Sequence, residues 1–462
     1  MYAPLPAALG KLVEQRMAEL HVPGIAVGII HGDEEQLGCF GVTNVEHPLP
    51  VDADTLFQIG SITKTVTATL AMRLVEAGEL NLDVPVCTYL PQLRLADADV
   101  ASRVTMRHLL THTAGWEGDY FNDFGNGDDA LARMVEQLAS LPQIVPLGQC
   151  WSYNNAGFYL AGRVLEVVGG KPYEELAKTM VLAPLGMSMS FFFPGDCITH
   201  RVAGGHEAIF EQSAEQPVVV RPWAAPRCAA PMGGLVSTLR DQLRYARFHM
   251  GDGTAASGAR LLAAESIACM QQPQVAAAEN TRCGTSWSIR DIRGVRIVSH
   301  SGGTRGQQAL LLLVPTRHFA VSALSNSGRG LELIAMIRNW TLKHYVGVEQ
   351  EEPQAIATSP EQLAPFVGRY HLTVQDLCLT LEGDRLMLHW QAHSGWPTPD
   401  SQPPPPPPPA RATLCGEDRL LVLDEPAKGA SGEFLRRPDG SIGWLRFGGR
   451  MYVRQPEAGQ PR

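Results

Sequence analysis

The 462-residue chain lacks any apolar run close to the roughly 18 residues that span a bilayer; Gly24-Ile25-Ala26-Val27-Gly28-Ile29-Ile30 falls far short. It lacks an excess of positive charge. Lys+Arg 38 minus Asp+Glu 47 gives −9, a poor balance for holding nucleic acid or an anionic membrane. No Cys-x-x-Cys occurs among its nine scattered cysteines, an odd number. That argues against a disulfide framework and a zinc ribbon, and agrees with a reducing compartment. The opening Met-Tyr-Ala-Pro-Leu-Pro carries no basic region followed by an apolar one, so a cytoplasmic location is the expectation. Lysine is scarce: six of the 38 basic residues. A lysine that completes a motif is therefore less easily a coincidence.

What is present is an ordinary globular balance, 45% hydrophobic and 18% charged, and length enough for about three domains at ~150 residues each. Residues 24–30 and 37–42 read as strands around a His31-Gly32-Asp33 turn. Val66, Leu70, Leu74 and Val75 recur at helical spacing from Ser61 to Ala77, with Gly78 as the terminating glycine. Leu131–Leu141 and Gly157–Val168 predict further helices. Val295–Val298 and Ala309–Val314 predict buried strands joined by a turn through Gly302-Gly303-Thr304-Arg305-Gly306. Phe319–Leu324 continues the sheet and Leu331–Tyr345 predicts a closing helix. Residues 349–365 suit a linker. Beyond them about eight short alternating segments predict a small antiparallel barrel. Seven consecutive prolines, 403–409, interrupt it and predict an exposed polyproline II loop, idle or an SH3-type ligand. The expected division is 1–347 for a first domain, 348–365 for the linker and 366–462 for the barrel.

Three short patterns carry chemistry. In Ser61-Ile62-Thr63-Lys64 a serine opens a helix, where its own N–H and the helix dipole favour developing negative charge. Lys64 lies one turn on, within reach of the hydroxyl. No other lysine has a serine three residues before it. Tyr-x-Asn occurs twice, at Tyr120-Phe121-Asn122 in a loop and at Tyr153-Asn154-Asn155 just before a predicted helix. The second is preferred because a regular element holds it; a phenol beside an ammonium can shuttle protons and an amide can grip a carbonyl. His-x-Gly occurs at His249, His300 and His393. The first and last read as structural or surface residues. His300-Ser301-Gly302-Gly303 follows a strand, and its glycines would let a substrate approach, with the Gly303 N–H donating to an oxyanion.

Ser-x-x-Lys, Tyr-x-Asn and His-x-Gly in this order reproduce the three boxes of the penicillin-recognising serine enzymes. The chain resembles the class C β-lactamase-like serine hydrolases, which include D,D-peptidases, D-aminopeptidases and esterases. Further similar stretches are Leu109-Leu110-Thr111-His112-Thr113-Ala114-Gly115, Pro184-Leu185-Gly186-Met187 and Gly233-Gly234-Leu235-Val236-Ser237-Thr238. The resemblance covers about residues 10–345, and the remainder is similar to lipocalin-like C-terminal domains. It implies an α+β fold, an antiparallel sheet flanked by helices with an all-helical subdomain, followed by the small barrel. It implies Ser61 as the acylated nucleophile, Lys64 as its base partner and Tyr153 as proton shuttle to the leaving group. Asn155 would hold the substrate amide, beside Ser301 and Gly302, and the N–H groups of Ser61 and Gly303 would form the oxyanion hole. His300 stands where β-lactamases and D,D-peptidases carry a lysine, which speaks against β-lactam hydrolysis.

No Gly-x-Ser-x-Gly supports a Ser-His-Asp hydrolase. His108 and His112 are four apart but lack the glutamate of a zinc protease. No cofactor or metal is expected. A binding module or acylation sensor that kept the fold is the non-enzyme alternative. With no export signal seen, two roles remain: a D-stereospecific aminopeptidase, amidase or esterase, and a stand-alone penicillin-binding-protein-type thioesterase. The latter takes a peptidyl group, D-configured at the acyl residue, from a carrier protein and off-loads it as a macrocycle. The expected partner is thus a peptidyl or acyl substrate, with no nucleic acid and no membrane. Trp116, Tyr120, Phe121, Phe124, Phe191–Phe193, Trp223 and Trp287 are candidates for an apolar pocket, with a plain core role the alternative for each.

Overall fold

The computed structural model describes residues 2–208, 216–278, 280–395, 398–403, 405–425 and 427–456. It divides into two compact units. The first comprises Met1–Thr111, Asp123–Ala139 and Gly157–Gln350; the second comprises His112–Asn122, Ser140–Ala156 and Glu351–Arg462. No helix among the described residues is long and apolar enough to cross a membrane.

A nine-stranded sheet organises the first unit. Its strands are β1 (Ala3–Pro4), β2 (Gly24–His31), β3 (Glu34–Gly41), β4 (Val275–Ala278), β5 (Thr281–Cys283), β6 (Ser288–Ile292), β7 (Val295–Thr304), β8 (Gln307–Val314) and β9 (Phe319–Ser325). They lie in the order β1-β3-β2-β9-β8-β7-β6-β5-β4. Alternation along β2 sets the two faces. Ile25, Val27 and Ile29 join Leu312, Val314 and Val321 in one core cluster. Two helices cover that face, α1 (Ala7–Leu20) through Leu9 and Val13, and a late helix, Gly330–Thr341, through Leu333 and Ile337. The opposite face of β2, β8 and β9 meets the helix Leu239–Met250. Gly28 belongs to this second face, where an added Cβ would lie 2.9 Å from Leu243. The predicted hairpin, the helix after Ser61 and the closing helix all form.

One sequence expectation changes. Gly302 and Gly303 are not turn residues: β7 runs through both to Thr304, and only Arg305-Gly306 turns. Gly306 takes φ +72° there, and a Cβ would lie 2.5 Å from the His206 nitrogen. The other two glycines answer a different demand, a close backbone approach described below.

In the second unit eight strands close an antiparallel barrel: β10 (Gly368–His371), β11 (Gln375–Glu382), β12 (Arg385–Ala392), β13 (Ala410–Gly416), β14 (Arg419–Val422), β15 (Ser431–Arg436), β16 (Ile442–Phe447) and β17 (Arg450–Arg454). Leu377, Leu379, Leu386, Leu388, Phe434 and Leu445 fill its interior. A barrel of this size is a packed core. The proline run joins β12 to β13; its described members form no helix or strand and are mostly exposed, and Pro404 lies outside the described residues.

Gly306→Ala adds a Cβ to a left-handed residue against backbone, so a loss of about 1–3 kcal/mol is expected. Thermal denaturation followed by circular dichroism checks it; an unchanged melting temperature would refute the tight-turn assignment.

Candidate active site

In the first unit the chain leaves Gln58, makes a short 3₁₀ turn at Gly60–Ile62 and enters α2 (Thr63–Glu76). The turn is locked by Thr63, whose hydroxyl donates to the Gly60 carbonyl (2.7 Å) and accepts from the Leu235 N–H (3.2 Å). The first two turns of α2 are buried on every side. A helix so placed needs its polar side chains satisfied. Thr65 donates to the Ile62 carbonyl (2.8 Å) and Thr67 to that of Pro231 (2.6 Å). Lys64 is fully buried, and its Nζ donates to Ser61 Oγ (3.1 Å) and to the Met232 carbonyl. It also lies 5.3 Å from the centre of the Phe158 ring, on α3 (Ala156–Gly169).

Strand β7 brings the third box to the same place. A Cβ on Gly302 would collide with the Ile59 carbonyl oxygen and lie 3.0 Å from the Ser61 nitrogen. A Cβ on Gly60, itself at φ +50°, would lie 2.7 Å from the Gly303 nitrogen. Glycines at these positions allow two backbones to touch, which places the Ser61 and Gly303 amides on adjoining stretches. His300 is 8% exposed, and its Nδ1 donates to the Ser301 carbonyl (2.6 Å). That bond puts the proton on Nδ1 and the lone pair on Nε2. Burial, reinforced by the electrostatic influence of Lys64 and opposed by the bond to Ser301, pushes the His300 pKa down to about 4. The ring is therefore neutral near pH 7. The Ser301 side chain points the other way: with Ser299 it lines a cavity on the opposite face of the sheet.

Tyr153 and Asn155 belong to the second unit. The Tyr153 N–H donates to the Gly449 carbonyl (2.8 Å), and the Met451 N–H to Ser152 Oγ (3.2 Å). Asn155 Nδ2 donates to Asp119 Oδ1 (2.6 Å), whose other oxygen accepts from Arg450 Nε (2.9 Å). The Arg450 guanidinium lies 4.7 Å from the centre of the Tyr153 ring, and His112 stacks on that ring with centroids 4.5 Å apart. His112 takes φ +58°, and its Nδ1 accepts from the Asn154 N–H (2.9 Å). Non-glycine strain of this kind persists where surrounding contacts hold it. The barrel's last hairpin thus fixes the Tyr-x-Asn segment.

Sequence reasoning missed Asp119, Arg450 and the seat beneath Tyr153. The Gly448-Gly449 doublet was the available signal, but Arg450 is nearly 300 positions from Tyr153, and no local spacing links them. Of the other candidates, Trp287 is a core residue, fully buried beside His249. Phe192 and Trp223 border a cavity of only 20 Å³. Tyr120 and Asn122 contact each other in a loop (3.3 Å). His108 serves the capping box of the helix Met106–Leu110. Among the described residues one group could offer a metal three donors: His371, Asp376 and His393. The Asp376 carboxylate there already accepts from His371 Nδ1 (2.7 Å), His393 Nε2 (3.0 Å) and Arg369 Nε (2.5 Å), and the guanidinium disfavours a cation.

A half-buried serine beside a buried lysine at a helix start, with the Ser61 and Gly303 amides on adjoining stretches, is the outline of an acyl-transfer serine enzyme. Residues 9–340 match the Beta-lactamase family, and the chain belongs to this family of serine hydrolases. Penicillin-binding protein 4 of Amycolatopsis lactamdurans is 36% identical over 76% of this chain and 94% of its own length. The crystal structure of SurE superimposes with a TM-score of 0.75 at 25% identity, over 97% of this chain and 98% of that one. SurE with D-Leu superimposes with a TM-score of 0.73 at 25% identity, over 97% and 99%.

The neutral histidines make acid sensitivity a specific expectation. His249, fully buried, is pushed down by burial to about 3, and His300 to about 4, both from 6.5. Between pH 6.5 and 4 the unfolded chain takes up protons the folded chain refuses, so stability falls as pH falls through that window. Buried Glu166 and Asp241, whose pKa values are raised chiefly by burial, act in the opposite sense. The test is therefore a difference: urea midpoints from pH 7 to 4.5 should fall more steeply for wild type than for His249→Gln. Parallel curves would overturn it.

Proposed function

We propose that the protein transfers acyl groups through an acyl-Ser61 intermediate, taking a peptidyl group with a D-configured residue at the acyl position. The observation that carries this reading is the fully buried Lys64 Nζ, 3.1 Å from Ser61 Oγ. Lys64 accepts the Ser61 proton as Oγ attacks the donor carbonyl. The Ser61 and Gly303 N–H groups receive the developing oxyanion. Tyr153 passes a proton to the leaving group and Asn155 holds the substrate amide.

The specific reading is a stand-alone penicillin-binding-protein-type thioesterase that off-loads and macrocyclises a peptide from a carrier protein in the cytoplasm. Two observations support it. A neutral His300 offers no fixed charge to a terminal carboxylate, which favours a donor activated as a thioester or ester. A neighbour that matches 97% of this chain was crystallised with D-Leu. Hydrolysis by a D-aminopeptidase, amidase or esterase is the second reading. The choice depends on whether the acyl-enzyme meets an amine or water, and exclusion of water favours the amine.

Incubation with a D-Ala-type peptidyl thioester should add the acyl mass to wild type and not to Ser61→Ala. No adduct in either would end the acyl-serine reading. Lys64→Ala and Tyr153→Phe should each slow acylation by ~10²–10⁴-fold; near-normal rates would remove the assigned role. With thioesters carrying a free N-terminal amine, a cyclic product is expected; linear acid alone across several D-terminal peptides would leave the hydrolase.

A further inference from the structure

A second cavity lies on the far side of the sheet from His300, under the C-terminal half of the helix Gly330–Thr341. We propose that it is a binding site for a phosphate-type oxyanion, held between Arg290 and Arg338. The cavity measures 160 Å³, and Ser288, Ser299 and Ser301 line it together with the two arginines. Strand alternation places these groups on one face: Ser288 and Arg290 alternate along β6, Ser299 and Ser301 along β7, and Ser288 lies directly opposite Ser299. Leu310 and Leu312 of β8 form an apolar floor.

The arginines are what call for a ligand. Arg290 Nε donates to Thr281 Oγ1 (2.9 Å) and Arg338 Nε to Asn339 Oδ1 (3.1 Å). Among the described residues neither forms an ion pair, and their terminal N–H groups have no protein acceptor. Two acidic side chains close by in the chain are engaged elsewhere, Asp291 with Arg296 (3.0 Å) and Glu349 with Lys343 (2.5 Å). Burial lowers the pKa of both arginines, and Arg290 lowers that of Arg338 further. Two half-buried like charges with no counter-charge are unfavourable. A tetrahedral dianion cancels both, accepts from two planar forks and offers further oxygens to the three hydroxyls. A monovalent carboxylate satisfies fewer of these donors.

The test uses the full chain, thermal denaturation and titration calorimetry, and sodium phosphate against ionic-strength-matched sodium chloride and acetate. A saturable rise in melting temperature with phosphate, absent with chloride and acetate, is expected. Arg338→Met removes one charge and relieves the repulsion. Its melting temperature without phosphate should equal or exceed that of wild type, while the phosphate response disappears. Arg290→Gln should lose the response likewise, and serves alone should the methionine variant not fold. A glycerol 3-phosphate arm separates sources: a stronger response to the ester assigns the site to a phosphorylated molecule, a stronger response to the inorganic ion assigns it to free phosphate. Equal shifts with chloride, a response to acetate alone, or full phosphate shifts in the variants would overturn the proposal. Acylation of Ser61 is read separately, so failure here leaves that reading intact.

Discussion

The burial of one side-chain amine, that of Lys64, is the constraint on which the first unit turns. Taking such a polar group out of water is costly unless its hydrogen bonds are replaced. Here the replacements come from Ser61 Oγ and the Met232 carbonyl, with a phenylalanine ring at 5.3 Å. Each needs a different part of the chain to arrive in register. The 3₁₀ turn must present Ser61 one turn before Lys64. The helix Ala230–Gly233 must offer a carbonyl across from α2, and α3 must supply Phe158. The threonine-rich first turns of α2 follow from the same requirement. They let a helix run through the interior with its hydroxyls bonded to backbone carbonyls.

A second constraint is backbone against backbone. Ile59, Gly60 and Ser61 meet Gly302 and Gly303 so closely that side chains are excluded. This contact joins a strand of the sheet to a helix start, so that the Ser61 and Gly303 amides lie on adjoining stretches of backbone. It also explains why the Gly-Gly pair lies within a strand. The glycines serve an approach between elements some 240 positions apart, and the reversal of the chain is left to Arg305-Gly306.

In the second unit the packed barrel acts as a support. Its final hairpin holds Ser152 and Tyr153 through main-chain bonds and places Arg450 against the Tyr153 ring and Asp119. The segments His112–Asn122 and Ser140–Ala156, the second of which carries the Tyr-x-Asn motif, belong to the same unit as the barrel although they lie more than 200 positions before it. Glu117 continues this attachment, accepting from the Thr373 N–H and hydroxyl (2.6 and 2.7 Å).

The period-3.6 pattern of α2, the alternation of β2 and of the barrel strands, and the unique Ser-x-x-Lys were legible in the sequence. Each depends only on neighbours a few residues apart, which is the range over which helix and strand geometry repeats. The helix after Ser61 and the eight-stranded C-terminal barrel followed from them, and the fold class from the resemblance that the three motifs carry. Tertiary structure alone decided which glycines turn the chain and which permit contact. It also decided that Ser301 faces away from His300, that Arg450 sits on Tyr153, and that Arg290 and Arg338 share a cavity. These outcomes depend on elements meeting across long stretches of chain. Side-chain spacing encodes the face a residue occupies, but which partner reaches that face is set by the packing of the whole unit.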